Sequence, residues 1–76
     1  MPTAPIVSIV DVDDLNITGI QTNATINIYL GNGTLYHSLI ASGGFTIGPF
    51  VGLGSVYVTQ VVNGVESPAS ATVTFE

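Results

Sequence analysis

The closing stretch of the chain, residues 54 to 76, constrains the fold most because it combines two alternating patterns with one short turn. Apolar residues occupy every second position over 56–59 and again over 71–75, which is the period of a strand with one buried face. Between them lies Asn63-Gly64, the pair best suited to a type I′ turn, in which both central residues need positive φ. The stretch therefore predicts an antiparallel β-hairpin.

The same alternation recurs upstream in short segments separated by glycine, proline and asparagine. The clearest runs from Ala24 to Leu30 and is followed by Gly31-Asn32-Gly33, a hairpin signal, and a return strand. No segment carries a 3.6-residue apolar stripe long enough for a helix. We therefore predict an all-β fold, an antiparallel sandwich of about seven short strands. The predicted strands are 6–10, 15–19, 24–30, 34–40, 45–47, 56–59 and 71–75.

A chain of 76 residues is expected to form one small domain. We place that domain at residues 6–76 and an extended lead at residues 1–5, because Pro2 and Pro5 fix φ and keep their predecessors out of the helical region. The inward faces of the strands predict one hydrophobic core. Its expected members are Ile17, Ile26, Ile28, Leu30, Leu35, Phe45, Ile47, Val56, Val58, Val73 and Phe75.

The charge composition excludes several kinds of partner. The chain has no lysine or arginine and a formal net charge of −5, so it lacks the cations that nucleic-acid phosphates or anionic lipid heads require. Apolar residues never run for the roughly 18 positions of a membrane helix, so we predict no membrane insertion. Cysteine is absent, which removes disulfides and thiolate metal sites.

Four segments, read together, cover nearly the whole chain and carry a family resemblance. They are APIVSIVDVDD, LNITGIQTNATINIYLGNGTLY, GGFTI and VYVTQVVNGVESPASATVTF. The chain resembles the bacterial immunoglobulin-like domains of surface proteins and adhesins, with Gly64, Ser67 and Pro68 at that family's turn and strand-switch positions. The resemblance implies a Greek-key immunoglobulin-like sandwich with a structural or adhesive role and no enzymatic activity.

Candidate ligands for metals are few. Asp11, Asp13 and Asp14 offer carboxylate oxygens of the kind that Ca²⁺ prefers, but their spacing matches no defined loop, and a solvated acidic turn is the alternative. His37 is the only imidazole; alone it makes neither a metal site nor a triad. We predict no catalytic residue and no cofactor. Three Asn-X-Thr triplets begin at Asn16, Asn23 and Asn32 and match the N-glycosylation pattern. Chance occurrence in a sequence rich in Asn and Thr is the favoured explanation, and glycosylation is the alternative.

Two groups of residues are predicted to mediate assembly. Tyr29, Tyr36 and Tyr57 lie mid-strand and are expected on the face opposite the core, where they would contact a neighbouring subunit or, alternatively, bind carbohydrate. The second group belongs to the lead and the first strand, whose β-branched residues can complete a neighbour's open sheet edge. Its members are Pro2, Pro5, Ile6, Val7 and Ile9.

These observations favour a structural, non-enzymatic subunit that assembles with identical copies of itself. A free monomeric β domain usually protects its edge strands with charge, especially lysine, and this chain has none. The expected location is extracellular: a filament or appendage on a cell or spore surface, or a virion. An adhesive or carbohydrate-binding module from a larger bacterial surface protein is the alternative, and a small hydrolase is disfavoured because no triad or metal set is present.

The acidic turn leads to a test of the calcium alternative. If Asp11, Asp13 and Asp14 form only a solvated turn, a calcium chelator should leave the melting temperature essentially unchanged in a thermal melt followed by circular dichroism. A large drop in melting temperature on chelation would establish the calcium site instead.

Overall fold

A computed structural model describes residues 2–75; Met1, the first residue of the predicted lead, and Glu76, the last of the predicted domain, lie outside them. The described residues form strands and turns with no helix, which confirms the all-β prediction. The strands are β1 (Ile6–Val10), β2 (Asp14–Thr18), β3 (Ala24–Leu30), β4 (Leu35–Ala41), β5 (Phe45–Ile47), β6 (Gly54–Val62), β7 (Val65–Glu66) and β8 (Val73–Phe75).

The strands make two antiparallel sheets. The smaller sheet has the order β1-β2-β5, and the larger has the order β4-β3-β6-β7, with β8 also paired to β6. Strands β3 and β6 pair in continuous register, with Ile28 opposite Val58 and Ile26 opposite Gln60. The inward residues of both sheets bury one another, so the core lies between the sheets.

The core matches most of the predicted set. Six of its predicted members are buried, namely Ile17, Ile26, Ile28, Val56, Val58 and Phe75. Four more are half-buried and pack against that cluster, namely Leu30, Phe45, Ile47 and Val73. The prediction is wrong for Leu35, which is 51% exposed. Leu15, Ala24 and Phe50 are core residues that the sequence reading did not include.

A β-bulge explains why Leu35 is exposed. Strict alternation along β4 would place Leu35 on the inward face with His37 and Leu39. The register between β3 and β4 shifts between Ile28 and Tyr29, so that His37 lies opposite Ile28 but Leu35 lies opposite Tyr29. An extra residue in one strand turns the following side chains to the other face. Leu35 therefore shares the outward side of the sheet with Tyr29.

The predicted turn at Asn63-Gly64 is present, with φ of 53° at Asn63 and 79° at Gly64. It joins β6 to the two-residue strand β7. This strand was not among the seven predicted. The predicted partner strand is the segment 71–75. Only its β8 portion pairs with β6, and an irregular stretch precedes it. There Ser67 and Ser70 replace ladder partners: their amides donate to the carbonyls of Gln60 and Val58, and their hydroxyls accept from the amides of the same two residues.

The buried position of Ile28 gives a direct test of the core. Replacing Ile28, which is fully buried, by alanine should lower the free energy of unfolding by about 2–5 kcal/mol, because apolar burial is lost and a cavity remains. Urea denaturation measures the change. The matched control is Ile40→Ala, at a residue that is 72% exposed, where the change should stay within about 0.5 kcal/mol. Equal effects at the two positions would contradict this core.

Candidate functional site

Strand β4 is an open edge of the larger sheet. Within residues 2–75 it pairs with β3 alone, so the backbone groups on its other side have no strand partner. Its sequence, LYHSLIA, contains neither proline nor a carboxylate. Leu35, Tyr36 and Ile40 are 51%, 46% and 72% exposed. Natural β proteins usually protect such an edge with charge, proline or a covering segment, so this strand is unusually open to a further strand.

Strand β1 is a second open edge, on the other side of the sandwich. Among the described strands it pairs only with β2, and it contacts β8, which is paired to β6 in the larger sheet. Strand β4 lies at the opposite edge of that larger sheet, next to β3. Ile6 is 67% exposed, Ile9 is 36% exposed and Val7 is half-buried. The predicted assembly residues of this strand therefore lie at an edge, as an assembly role requires, while the strand itself is paired within its own chain.

The three tyrosines do not share one surface. Tyr29 and Tyr57 lie opposite each other on β3 and β6 and stack with their ring centroids 5.3 Å apart. Both are on the outward face, as predicted. The prediction is wrong for Tyr36. Its ring and that of Phe50 form a T-shaped pair with the ring centroids 5.7 Å apart. Phe50 belongs to the core cluster, so Tyr36 lies against the open side of the core instead.

A carboxylate beside the stacked tyrosines organises the outward face. The Tyr29 hydroxyl donates to Glu66 Oε2 at 3.0 Å, and the Thr59 hydroxyl donates to the same oxygen at 2.7 Å. These two hydrogen bonds, that of Thr59 first, hold the pKa of the Glu66 carboxyl below its usual value. The hydrogen bond to Glu66 raises the pKa of Tyr29. The short strand β7 is thereby attached to the sheet without a cation.

The lead is attached to its own domain. Pro2 and Pro5 are buried, and the carbonyl of Thr3 accepts a hydrogen bond from Gln60 Nε2 at 2.7 Å. An open groove of about 270 Å³ runs beside this contact, lined in part by Pro2, Gln21 and Val62. The predicted assembly residues Pro2 and Pro5 therefore dock onto the fold within the chain. Whether they also reach a neighbour stays a prediction.

Gln60 is a buried structural residue that the sequence reading missed. Its side chain is fully buried. Nε2 donates to the carbonyls of Thr3 and Gly19, and Oε1 accepts from the amide of Gln21. Extending the alternation of Val56 and Val58 by one step places Gln60 on the inward face, and that signal was available in the sequence. These hydrogen bonds offset the free-energy cost of burying its side-chain amide.

The three aspartates lie together, Asp11 and Asp13 in the turn between β1 and β2 and Asp14 at the start of β2, but they do not form a ligand set. Within residues 2–75, no three His, Asp or Glu side chains come close enough together to hold a metal ion. The carbonyl of Asp13 accepts from the amide of Phe50 at 2.7 Å. Desolvation, followed by the neighbouring carboxylates of Asp13 and Asp11, raises the pKa of Asp14. The arrangement crowds like charges and gives no support to the calcium alternative.

The remaining sequence candidates are dispersed. His37 is exposed on β4. Asn16 lies in β2, where its Oδ1 accepts from the Thr46 hydroxyl, while Asn23 and Asn32 lie in exposed turns. In the part of the chain that the structure describes, no helix has the length and apolarity needed to cross a bilayer.

Comparisons with known proteins found no matching family model, no matching curated protein and no matching solved structure. The resemblance to bacterial immunoglobulin-like domains therefore stays a prediction, and any function has to be inferred from the surface of the molecule.

The carboxylates of Glu66 and Asp14 have pKa values shifted in opposite directions, which predicts opposite responses to acid. The lowered pKa of Glu66 means that its ionised form stabilises the fold; this contribution is present above the usual value of 4.5 and is lost as pH falls through the folded pKa. Glu66→Gln should therefore weaken the acid dependence of the free energy of unfolding, measured by urea titration at several pH values.

Asp14 supplies the matched control. Its raised pKa favours the fold when the carboxyl is protonated, so its contribution is present below its usual value of 3.8 and is lost as pH rises through the higher folded pKa. Asp14→Asn should make the loss of stability on acidification steeper than in the parent chain. The same direction of change in both variants would contradict these assignments.

Proposed function

We propose that this protein is a structural, non-enzymatic subunit of a homopolymer, and that its copies join through their open sheet edges. The observation that carries the proposal is the outer edge of β4, seven residues long with exposed apolar side chains and no protecting charge. A strand of a second copy would pair the free backbone groups of β4 and cover Leu35 and Ile40 at the same time.

The charge of the chain favours identical copies as partners joined by neutral contacts. Without lysine or arginine, two copies cannot form the usual ion pairs, and their net negative charges repel. Apolar burial and backbone hydrogen bonds are the attractions that remain. Neither β1 nor β4 contains a carboxylate, so the side chains of the two strands themselves would meet without like-charge contacts.

The positions of β1 and β4, the two open edges proposed to join, favour an open-ended assembly. A contact between β1 of one copy and β4 of the next joins two different surfaces. Such a head-to-tail contact generates a ring when the rotation closes and a filament when it does not. The open edges lie on opposite sides of the sandwich, so one copy can bind two neighbours simultaneously. A filament or appendage on a cell or spore surface, or a virion, fits such a subunit.

We also propose the finer fold assignment, a Greek-key immunoglobulin-like sandwich. Its support is the order of strands in each sheet. β2 and β5 are neighbours although β3 and β4 separate them in the chain, and β3 lies between β4 and β6. This interleaving of two antiparallel sheets is typical of Greek-key sandwiches.

A carbohydrate-binding module is the second candidate, and the aromatic pair on the outward face favours it. Tyr29 and Tyr57 lie beside the polar side chains of Asn27, Ser38 and Glu66, and sugar sites often combine aromatic and hydrogen-bonding groups. Self-assembly is the stronger proposal because each ring already uses one face on the other, at an interplanar angle of 18°. The Tyr29 hydroxyl is also engaged by Glu66. Binding of soluble glycans, lost in Tyr57→Ala, would favour the second candidate.

The proposal predicts that salt promotes assembly and that a carboxylate on β4 weakens it. Raising ionic strength shortens the screening length from about 30 Å at 0.01 M to about 3 Å at 1 M, which weakens repulsion between copies and leaves apolar burial intact. Sedimentation velocity across salt and protein concentration should show growing oligomers. Ile40→Glu should strongly reduce their size and fraction, because it places a carboxylate on the open edge of β4.

The matched control is Val51→Glu. Val51 is 71% exposed and lies in the loop before β6, so the substitution adds the same charge at a similar exposure outside β1 and β4. It should leave assembly largely intact at high salt. A parent chain that stays monomeric at every salt and protein concentration would contradict the proposed function.

A further inference from the structure

The turn between β1 and β2 holds two consecutive residues in a conformation that L side chains rarely adopt. Asp11 has φ of 51° and Val12 has φ of 62°. A β-branched residue in the left-handed region is a genuine outlier, and Val12 is 85% exposed, so burial of its side chain does not compensate. The turn is therefore strained, and strained conformations of this kind often mark a switch or hinge.

The same turn concentrates negative charge. Asp11, Asp13 and Asp14 fall within four consecutive positions in a chain without lysine or arginine. Extending the turn would separate the carboxylates and let both left-handed residues return to ordinary β conformations. The closed β1–β2 hairpin thus contains two local costs that an extended connection would remove.

The segment before this turn has its own docking site on the domain. β1 pairs with β2 over the register from Ile6 opposite Thr18 to Val10 opposite Asp14. Ahead of it, Thr3 is held by the buried amide of Gln60, and Pro2 and Pro5 are buried. Every copy of the chain presents the same site, so residues 2–10 of a second copy would make the same contacts.

We propose that residues 2–10 exchange between copies, with residues 11–13 as the hinge, so that β1 of one copy pairs with β2 of the next. This proposal rests on the proposed function in that both concern self-association, and it specifies a segment that links the subunits. The exchanged state keeps the contacts of β1 and its lead and removes the strain of the turn, and short strained hinges favour such exchange.

Two substitutions at Val12 test the hinge in opposite directions. Val12→Pro fixes φ near −65° and restricts Asp11 as well, so it disfavours the closed turn and permits the extended one. Val12→Gly accepts positive φ without strain. Proline should raise the fraction of dimers and larger oligomers and glycine should lower it, each by about tenfold in the association constant, as expected for removing or enforcing a left-handed residue.

Asn63→Gly is the control for the glycine substitution. Asn63 also has positive φ, 53°, but its turn joins β6 to β7, which do not exchange in this proposal. Relief of strain there should leave the association constant unchanged. Oligomer fractions that do not change in either Val12 variant would overturn the proposed hinge.

A pair of introduced cysteines detects exchange directly, because the natural chain has no cysteine. Ser8 and Asn16 lie opposite each other on β1 and β2. In the double variant Ser8→Cys with Asn16→Cys, oxidation of the assembled protein should yield disulfide-linked dimers and larger species on a non-reducing gel. The control double variant Ser55→Cys with Thr74→Cys joins β6 to β8, which stay in one chain, and should yield only monomers.

The outcomes separate this proposal from the proposed function. Oligomers in which the Ser8–Asn16 variant oxidises only within the chain would overturn the exchange of residues 2–10 and leave the homopolymer standing. A parent chain that is always monomeric would contradict the homopolymer. In that case, disulfide-linked dimers of a triple variant, Val12→Pro with Ser8→Cys and Asn16→Cys, would still support exchange.

Discussion

The arrangement of the two sheets depends on one buried amide. Gln60 extends from β6 into the interior, where its Nε2 binds the carbonyls of Thr3 and Gly19 and its Oε1 binds the amide of Gln21. Its own backbone pairs with Ser67. The lead, the end of β2 and the irregular segment after β7 are thereby held to one residue of the larger sheet. Apolar packing supplies the core, and this amide fixes which segments cover its end.

Alternation predicted the elements well because its period of two is local and is imposed by one buried face. It placed Ile26 and Ile28 in the core, while the Asn63-Gly64 pair itself located the turn. Alternation within one strand could not predict features that depend on the register between two strands. The bulge opposite Ile28 and Tyr29 exposes Leu35 and directs Tyr36 toward Phe50. No residue type in β3 or β4 predicted that shift in register.

The candidate site was predictable only in part for the same reason. The absence of lysine and arginine is visible in the sequence, and it implies unprotected edges. Which strands form those edges depends on sheet order, which places β4 and β1 on opposite sides. The strain at Asp11 and Val12 was also hidden, since neither is the glycine that normally signals positive φ. A chain without lysine or arginine pairs its carboxylates with hydroxyl donors, as at Glu66, and leaves its edge strands without protecting cations.

The account rests on pairing of the outer edge of β4 in the assembled state. Residue-resolved amide hydrogen exchange of β4, compared between dilute protein at low salt and assembled protein at high salt, measures that pairing most directly. The account predicts that the β4 amides that do not bond to β3 exchange rapidly in the dilute protein and become strongly protected on assembly. Assembly that leaves those amides as exposed as before would contradict it.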